Sequence, residues 1–106
     1  LLHEAVSYID EHFADEEISL NTVSAVCGIS PNHFSSIFSQ EMGVTFIEYL
    51  IGKRMDRAKE LLMTTDLRSS EIAYQVGYKD PHYFSYTFKK TQGLTTREYR
   101  SRGREE

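Results

Sequence analysis

Two short segments of this 106-residue chain place hydrogen-bonding side chains at helical spacing opposite a row of aromatic ones. With Asn32 at 0° and 100° per residue, Ser35, Ser36 and Ser39 fall at about 300°, 40° and 340°, whereas Phe34, Ile37 and Phe38 fall at about 200°, 140° and 240°. In the segment that starts at Pro81, the same arithmetic sets His82, Ser85, Tyr86 and Lys89 on one side and Phe84 and Phe88 on the other. A short helix exposing Asn, Ser, His and Lys near its N-terminal end carries the donors and acceptors needed to meet base edges in a major groove. Its first backbone N–H groups can also face a phosphate. Any amphipathic helix turns a polar face to solvent, so neighbouring features must decide between the two readings.

Other chemistries find no support. His3, His12, His33 and His82 do not pair at i+3 or i+4 and no Cys or acidic cluster completes a metal site, so neither metal nor cofactor is expected. Catalysis lacks a phosphate-cradling glycine loop and paired carboxylates placed around a cleft, and the single Cys27 has no activating base, so the chain is not read as an enzyme. Cys27 aligns with Val76 and is expected to be a small buried apolar residue. One cysteine forms no internal disulfide, which fits a reducing cytoplasm. No apolar run approaches the ~18 residues of a membrane span, so a soluble chain is expected.

The two segments belong to a duplication. With an offset of 50, Pro31, Phe34, Ser35, Phe38, Gly43, Thr45, Glu48 and Tyr49 return as Pro81, Phe84, Ser85, Phe88, Gly93, Thr95, Glu98 and Tyr99, which is 8 identities in the 19 positions 31 to 49. Upstream of the prolines the offset is 49, and the second copy carries one extra residue in its turn. Units this short bury little by themselves, so they are expected to form one domain over residues 1–106. The divisions are a first subdomain over 1–50, a linker helix over 46–64 and a second subdomain over 65–106.

The elements that position these faces are all helical, because apolar residues recur at spacings of three and four. Leu2, Val6, Ile9 and Phe13 form the stripe of a first helix. Ser19 to Cys27 follows, with Leu20, Val23 and Val26 inward and Gly28 as its stop. Ser30 with Pro31, and Asp80 with Pro81, open the two polar-faced helices. Thr45 with Glu48, and Thr95 with Glu98, match the capping box that starts the next helix. Between the copies, Phe46, Tyr49, Leu50, Met55, Ala58, Leu61 and Leu62 line one side of a long helix whose weak point is Gly52, at a cost of roughly 1 kcal/mol relative to Ala. A small residue precedes each turn glycine by four, Ser24 before Gly28 and Ala73 before Gly77, where two helices cross closely. That is the pattern of a helix-turn-helix.

Charge separates the copies. Residues 1 to 52 hold 8 acidic side chains and no Lys or Arg, while residues 53 to 106 hold all 12 basic side chains against 8 acidic ones, so a net charge of −4 divides into −8 and +4. Lys89 and Lys90 are the strongest phosphate candidates, with Lys79, Ser39 and Arg54 beside them. For Arg54 and Arg57, on the linker helix, a structural ion pair or plain solvation is an equal alternative to phosphate contact, and Arg100 is expected to hold the C-terminal helix against the core. Arg102 and Arg104 are expected in a frayed tail ending Glu105-Glu106.

The run Ile72 to Arg100 resembles the signature of the AraC/XylS family of bacterial transcription regulators, above all at Gly77-Tyr78, Tyr83-Phe84-Ser85, Phe88-Lys89-Lys90, Gly93 and Tyr99-Arg100. Ile18 to Leu62 resembles the first half of that domain. The resemblance implies about seven helices in two tandem helix-turn-helix units joined by a long helix, both recognition helices entering double-stranded DNA. By matched position it implies base contacts from Asn32, Ser35 and Ser36 and from Pro81, His82 and Tyr86, with Ser85 on the same face. Among relatives the chain looks most like the output domain of a two-component response regulator whose receiver domain lies elsewhere, and a start at Leu1 without Met agrees with a larger protein. The sequence departs from the family at Ser39-Gln40, where a Lys pair is common, and at Thr96, where Pro is usual. With the first unit lacking cations, modest affinity and a shallow salt dependence are expected of a monomeric domain. The rival expectation is a helical interaction module whose acidic half meets RNA polymerase or a sensory domain.

Overall fold

The computed structural model describes residues 2–104; the expectations placed on Leu1 and on Glu105-Glu106 lie outside them. Among the described residues there are seven helices and no strand: α1 (Leu2–His12), α2 (Leu20–Cys27), α3 (Pro31–Met42), α4 (Phe46–Thr64), α5 (Ser69–Gln75), α6 (Pro81–Gln92) and α7 (Thr96–Arg104). They fall into two compact units, one up to Lys53 and one from Arg54 onward, the boundary lying within α4.

Local capping fixes where the helices start. Thr45 Oγ1 accepts the Glu48 N–H at 3.1 Å while Glu48 accepts the Thr45 N–H at 2.9 Å. Thr95 and Glu98 repeat the exchange at 3.0 and 2.9 Å. A third box went unread in the sequence because its return partner is a threonine: Ser19 Oγ accepts from Thr22 N–H and Thr22 Oγ1 accepts from Ser19 N–H.

The first unit closes around Ala5, Ile9, Ile18, Val23, Phe34, Phe38, Phe46 and Leu50. Phe34, Phe38 and Phe46 meet at centroid distances of 5.6 to 6.2 Å, and Phe38 takes the edge of Tyr49 at 5.6 Å and 74°. The second unit buries Met55, Ala58, Leu61, Leu62, Ile72, Ala73, Val76, Tyr78, Phe84 and Phe88. There Phe88 takes the edge of Tyr99 at 5.9 Å and 79°, so the duplicated residues keep a duplicated geometry. Where the first unit has Phe46 the second has Thr96, which donates to Ser69 Oγ at 3.0 Å, and Tyr78 from the lengthened turn packs on Phe84 at 5.4 Å.

Three expectations are corrected. Val26 is 48% exposed, because α2 is short and buries Val23 and Ser24; Val26 lies about 60° from Val23 on the side away from that face. Cys27 is only half-buried, packed against the edge of the first core, where burial and then Glu4 push its thiol up. The C-terminal arginines are not in a frayed tail: α7 runs through Arg104, which donates to the Thr65 carbonyl at 2.6 Å and to Asp66 at 3.0 Å. Arg100 does what was expected of it, donating to the carbonyls of Leu62 and Thr65 at 2.9 and 3.0 Å and so satisfying groups at the end of α4.

Two glycines set opposite tests. Gly77 has φ +105°, and a Cβ there would stand 2.9 to 3.0 Å from the Arg54 guanidinium; Gly52 lies inside α4 with nothing within 4 Å. Gly77→Ala is expected to lower unfolding free energy by about 2 kcal/mol or more, and Gly52→Ala to raise it by roughly 0.5–1 kcal/mol, both read by urea titration.

The capping carboxylates set a pH dependence. Accepting a backbone N–H holds Glu48, Glu71 and Glu98 below the usual carboxylate range. Because the folded value is depressed, this stabilisation is present above the unfolded Glu value and is lost as pH falls through the folded one. A Glu48→Gln, Glu98→Gln variant should therefore show a flatter loss of urea midpoint below about pH 4.5 than the parent chain.

Candidate nucleic-acid interface

In the first unit α2, the turn and α3 present the polar face found in the sequence. Gly28 takes φ 73°, its N–H bonding the Ala25 carbonyl at 3.1 Å, and the next N–H, of Ile29, bonds the Ser24 carbonyl at 3.2 Å. Ser24 is buried there, its hydroxyl returned to Asn21 O at 3.0 Å, so the crossing residue is both small and satisfied. With Phe34 and Phe38 in the core, Asn32 and Ser36 are exposed and Ser35 and Ser39 half-buried. Lys53 is the only Lys or Arg up to residue 53, and it pairs with Asp10 at 3.2 Å beside the Tyr49 hydroxyl, which donates to the same carboxylate at 3.0 Å. This face therefore carries hydroxyls and amides but no cation.

In the second unit Ala73 occupies the crossing and its carbonyl accepts the Tyr78 N–H at 2.9 Å. This return spans the same five positions as Ile29 to Ser24 in the first unit, and the extra residue, Lys79, comes after it and before the Asp80 cap. On α6, His82, Ser85, Tyr86, Lys89 and Lys90 are exposed and Pro81 is half-buried; Lys79 is exposed in the turn before it. Ser85, Tyr86, Lys89 and Lys90 line a surface concavity of about 520 Å³ together with Thr95 and Thr96 of the α7 start. The sequence had singled out the first four; the two threonines come in because α7 begins beside the recognition face.

The helix starts differ from the open anion sites expected of them. Ser30 Oγ accepts the His33 N–H at 3.2 Å, and Asp80 Oδ1 accepts the His82 N–H at 2.9 Å. Each cap takes an N–H, and at α6 it also sets a carboxylate where a phosphate would approach.

Arg54 is the clearest correction among the phosphate candidates. It is 8% exposed, beside Gly77, with its guanidinium carbon 5.1 Å from the centroid of the Tyr78 ring. A cation enclosed against an aromatic face supports the turn and is not presented to a polyanion. Tyr78 is itself buried, which pushes its phenol up against the opposing effect of Arg54. Several other cations also have partners: Arg57 with Glu60, Lys59 with Asp56 at 3.7 Å and Arg68 with Glu71 at 3.3 Å. Tyr83, which the sequence marked only within the family signature, is 56% exposed and stacks on Tyr86.

Paired glycine turns and Pro-initiated helices with one aromatic and one polar face define a tandem helix-turn-helix protein. A helix-turn-helix domain family model matches residues 23–102. The chain is 34% identical over 100 residues to the arabinose operon regulatory protein of Escherichia coli, covering 94% of this chain and 34% of that protein. Its structure matches the C-terminal domain of AraT, a response regulator from Geobacillus stearothermophilus, with a TM-score of 0.91 and 40% identity over 93% of this chain and 82% of that one. The DNA-binding domain of AdpA, solved in complex with a target DNA, matches with a TM-score of 0.90 and 27% identity over 97% of this chain and 92% of that one. The chain belongs to the helix-turn-helix family of AraC-type transcription regulators. It spans about a third or less of the length of the first curated relatives it matches. Among the described residues no helix is long and apolar enough to cross a membrane, and no three His, Cys, Asp or Glu side chains are grouped to hold a metal.

Burial separates the cations in a measurable way. Arg54→Ala should lower the unfolding free energy by about 1–3 kcal/mol through lost packing, while Lys89→Ala should stay within roughly 0.5 kcal/mol of the parent chain in the same urea titration.

Proposed function

We propose that this chain binds double-stranded DNA sequence-specifically and regulates bacterial transcription in the cytoplasm as the C-terminal output domain of a larger AraC-type regulator. The observation that carries this is the repeated device in each unit: a glycine turn, a Pro-initiated helix anchored by two buried phenylalanines, and an opposite face of exposed and half-buried polar side chains. The likeness to a domain solved on its target DNA and to a response-regulator output domain supports the reading. Residues 1–106 then work as one DNA-binding domain, each unit supplying one recognition helix. Base contacts come from Asn32, Ser35 and Ser36 in the first unit and from Pro81, His82, Ser85 and Tyr86 in the second. Phosphate contacts come from Ser39, Lys79, Lys89 and Lys90. Two unlike helices in tandem read an asymmetric site as a monomer, and a palindrome requires two chains.

A second reading rests on the first unit. Val26, Val44 and Ile47 are exposed there, the unit is acidic in sequence, and its one lysine is tied to Asp10. This surface suits a protein contact, either with RNA polymerase or with the regulatory domain of the same protein, while the second unit holds DNA.

Selection from a randomised duplex pool followed by gel shift tests both. An enriched asymmetric motif is expected, its second half lost with His82→Ala, Tyr86→Ala and its first half with Asn32→Ala, Ser36→Ala. No enriched motif sinks the DNA reading; a first half that survives Asn32→Ala, Ser36→Ala favours the division of labour. The log-log salt slope of the parent chain should be shallower than about −7, each neutralised phosphate contributing roughly −0.9.

A further inference from the structure

The second unit contains a column of rings and cations that the contacts above do not explain. The Arg54 guanidinium stands 5.1 Å from the Tyr78 ring, Tyr78 meets Tyr83 at 6.0 Å, Tyr83 stacks on Tyr86 at 6.4 Å and 27°, and Lys90 Nζ lies 5.7 Å over Tyr86. The column starts in the interior, with Arg54 and Tyr78 at 8% and 6% exposure, and ends at the surface, with Tyr83 and Tyr86 at 56% and 60%. Two neighbouring rings more than half exposed on an otherwise polar face are area that folding does not use, and such area marks a contact surface. Tyr78 is also held by Phe84 at 5.4 Å, so the base of the column is fixed by the core.

The first unit has no counterpart. At the offset of 50, His33 stands where the second unit has Tyr83 and Ser36 where it has Tyr86. A serine reads a base edge by hydrogen bonding. A tyrosine ring adds an apolar surface, and the apolar group that the major-groove edges of the bases present is the C5-methyl of thymine. We infer that Tyr86 selects a thymine through its C5-methyl group, and that Tyr83 is a positioning residue that holds the Tyr86 ring by stacking. This rests on the DNA-binding reading and deepens it. A ring already held between a neighbouring ring and a cation loses little freedom when it binds, so the contact is preorganised. The methyl discrimination belongs to the half-site read by the second unit alone.

The test uses the 106-residue chain and a duplex that it selects from a randomised pool, resynthesised with deoxyuridine in place of each thymine in turn, which removes only the methyl group. One position, in the half-site lost with His82→Ala, is expected to bind about fourfold more weakly as uracil, the worth of one methyl taken out of contact. Tyr86→Ala should bind the thymine and uracil forms alike. Tyr83→Ala should lose most of the discrimination with its thermal midpoint unchanged, and Tyr83→Phe, which keeps the ring, should retain it. Equal binding of uracil and thymine at every position overturns the inference and leaves DNA binding standing. Discrimination that survives Tyr86→Ala also overturns it, and discrimination that survives Tyr83→Ala overturns the positioning role. A pool with no enriched sequence overturns the DNA reading and this inference together.

Discussion

The structure depends on the burial of two phenylalanines four residues apart on each recognition helix. Phe34 with Phe38, and Phe84 with Phe88, are nearly free of solvent, and residues four apart lie within about 40° on a helix. Once that pair is in the core, the rotation of the helix about its own axis is settled and the opposite face must point outward. The second ring of each pair then takes the edge of a tyrosine after the next cap, Phe38 with Tyr49 and Phe88 with Tyr99, which ties the recognition helix to the helix that follows. Edge-to-face contacts of this kind contribute about 0.5–1.5 kcal/mol beyond the area buried. The polar face is thus a consequence of aromatic packing, and its side chains can change without disturbing the scaffold.

The turns show how one inserted residue redirects a copy. In the first unit the return from Gly28 is short and leads through Ile29 to the Ser30 cap. In the second, Tyr78 and Lys79 separate Gly77 from Asp80, and Tyr78 enters the core against Phe84. That ring needs a neighbour on its outer side, which Arg54 provides, and Arg54 in turn leaves no room for a side chain at Gly77. Tyr78, Arg54 and Gly77 form one linked choice.

This linkage explains what was legible in the sequence. Caps, capping boxes, glycine stops and the aromatic stripe follow local rules, and Ser30, Thr45, Thr95 and both phenylalanine pairs stand where those rules put them. Val26 was misplaced because in an eight-residue helix a spacing of three does not settle which side is buried. Arg54 was misjudged because its burial depends on a residue 24 positions away in a turn that only the second copy has. Long-range pairing, absent from any window of the sequence, accounts for Arg54.

Charge shows the same limit of counting. The second half of the chain is formally +4, yet a polyanion feels the field at the surface and not the sum. Arg54 is enclosed, Arg100 and Arg104 hold backbone carbonyls at the end of α4, and Arg57, Lys59 and Arg68 each face a carboxylate one helical turn away. These arginines and lysines maintain the second unit more than they extend its field. What α6 offers to a phosphate backbone is concentrated at Lys89 and Lys90, in its last turn and beside the concavity that Ser85, Tyr86, Thr95 and Thr96 complete. Positive charge and the exposed polar side chains of α6 thereby share one helix face, while Arg54, Arg100 and Arg104 are committed to the scaffold behind it.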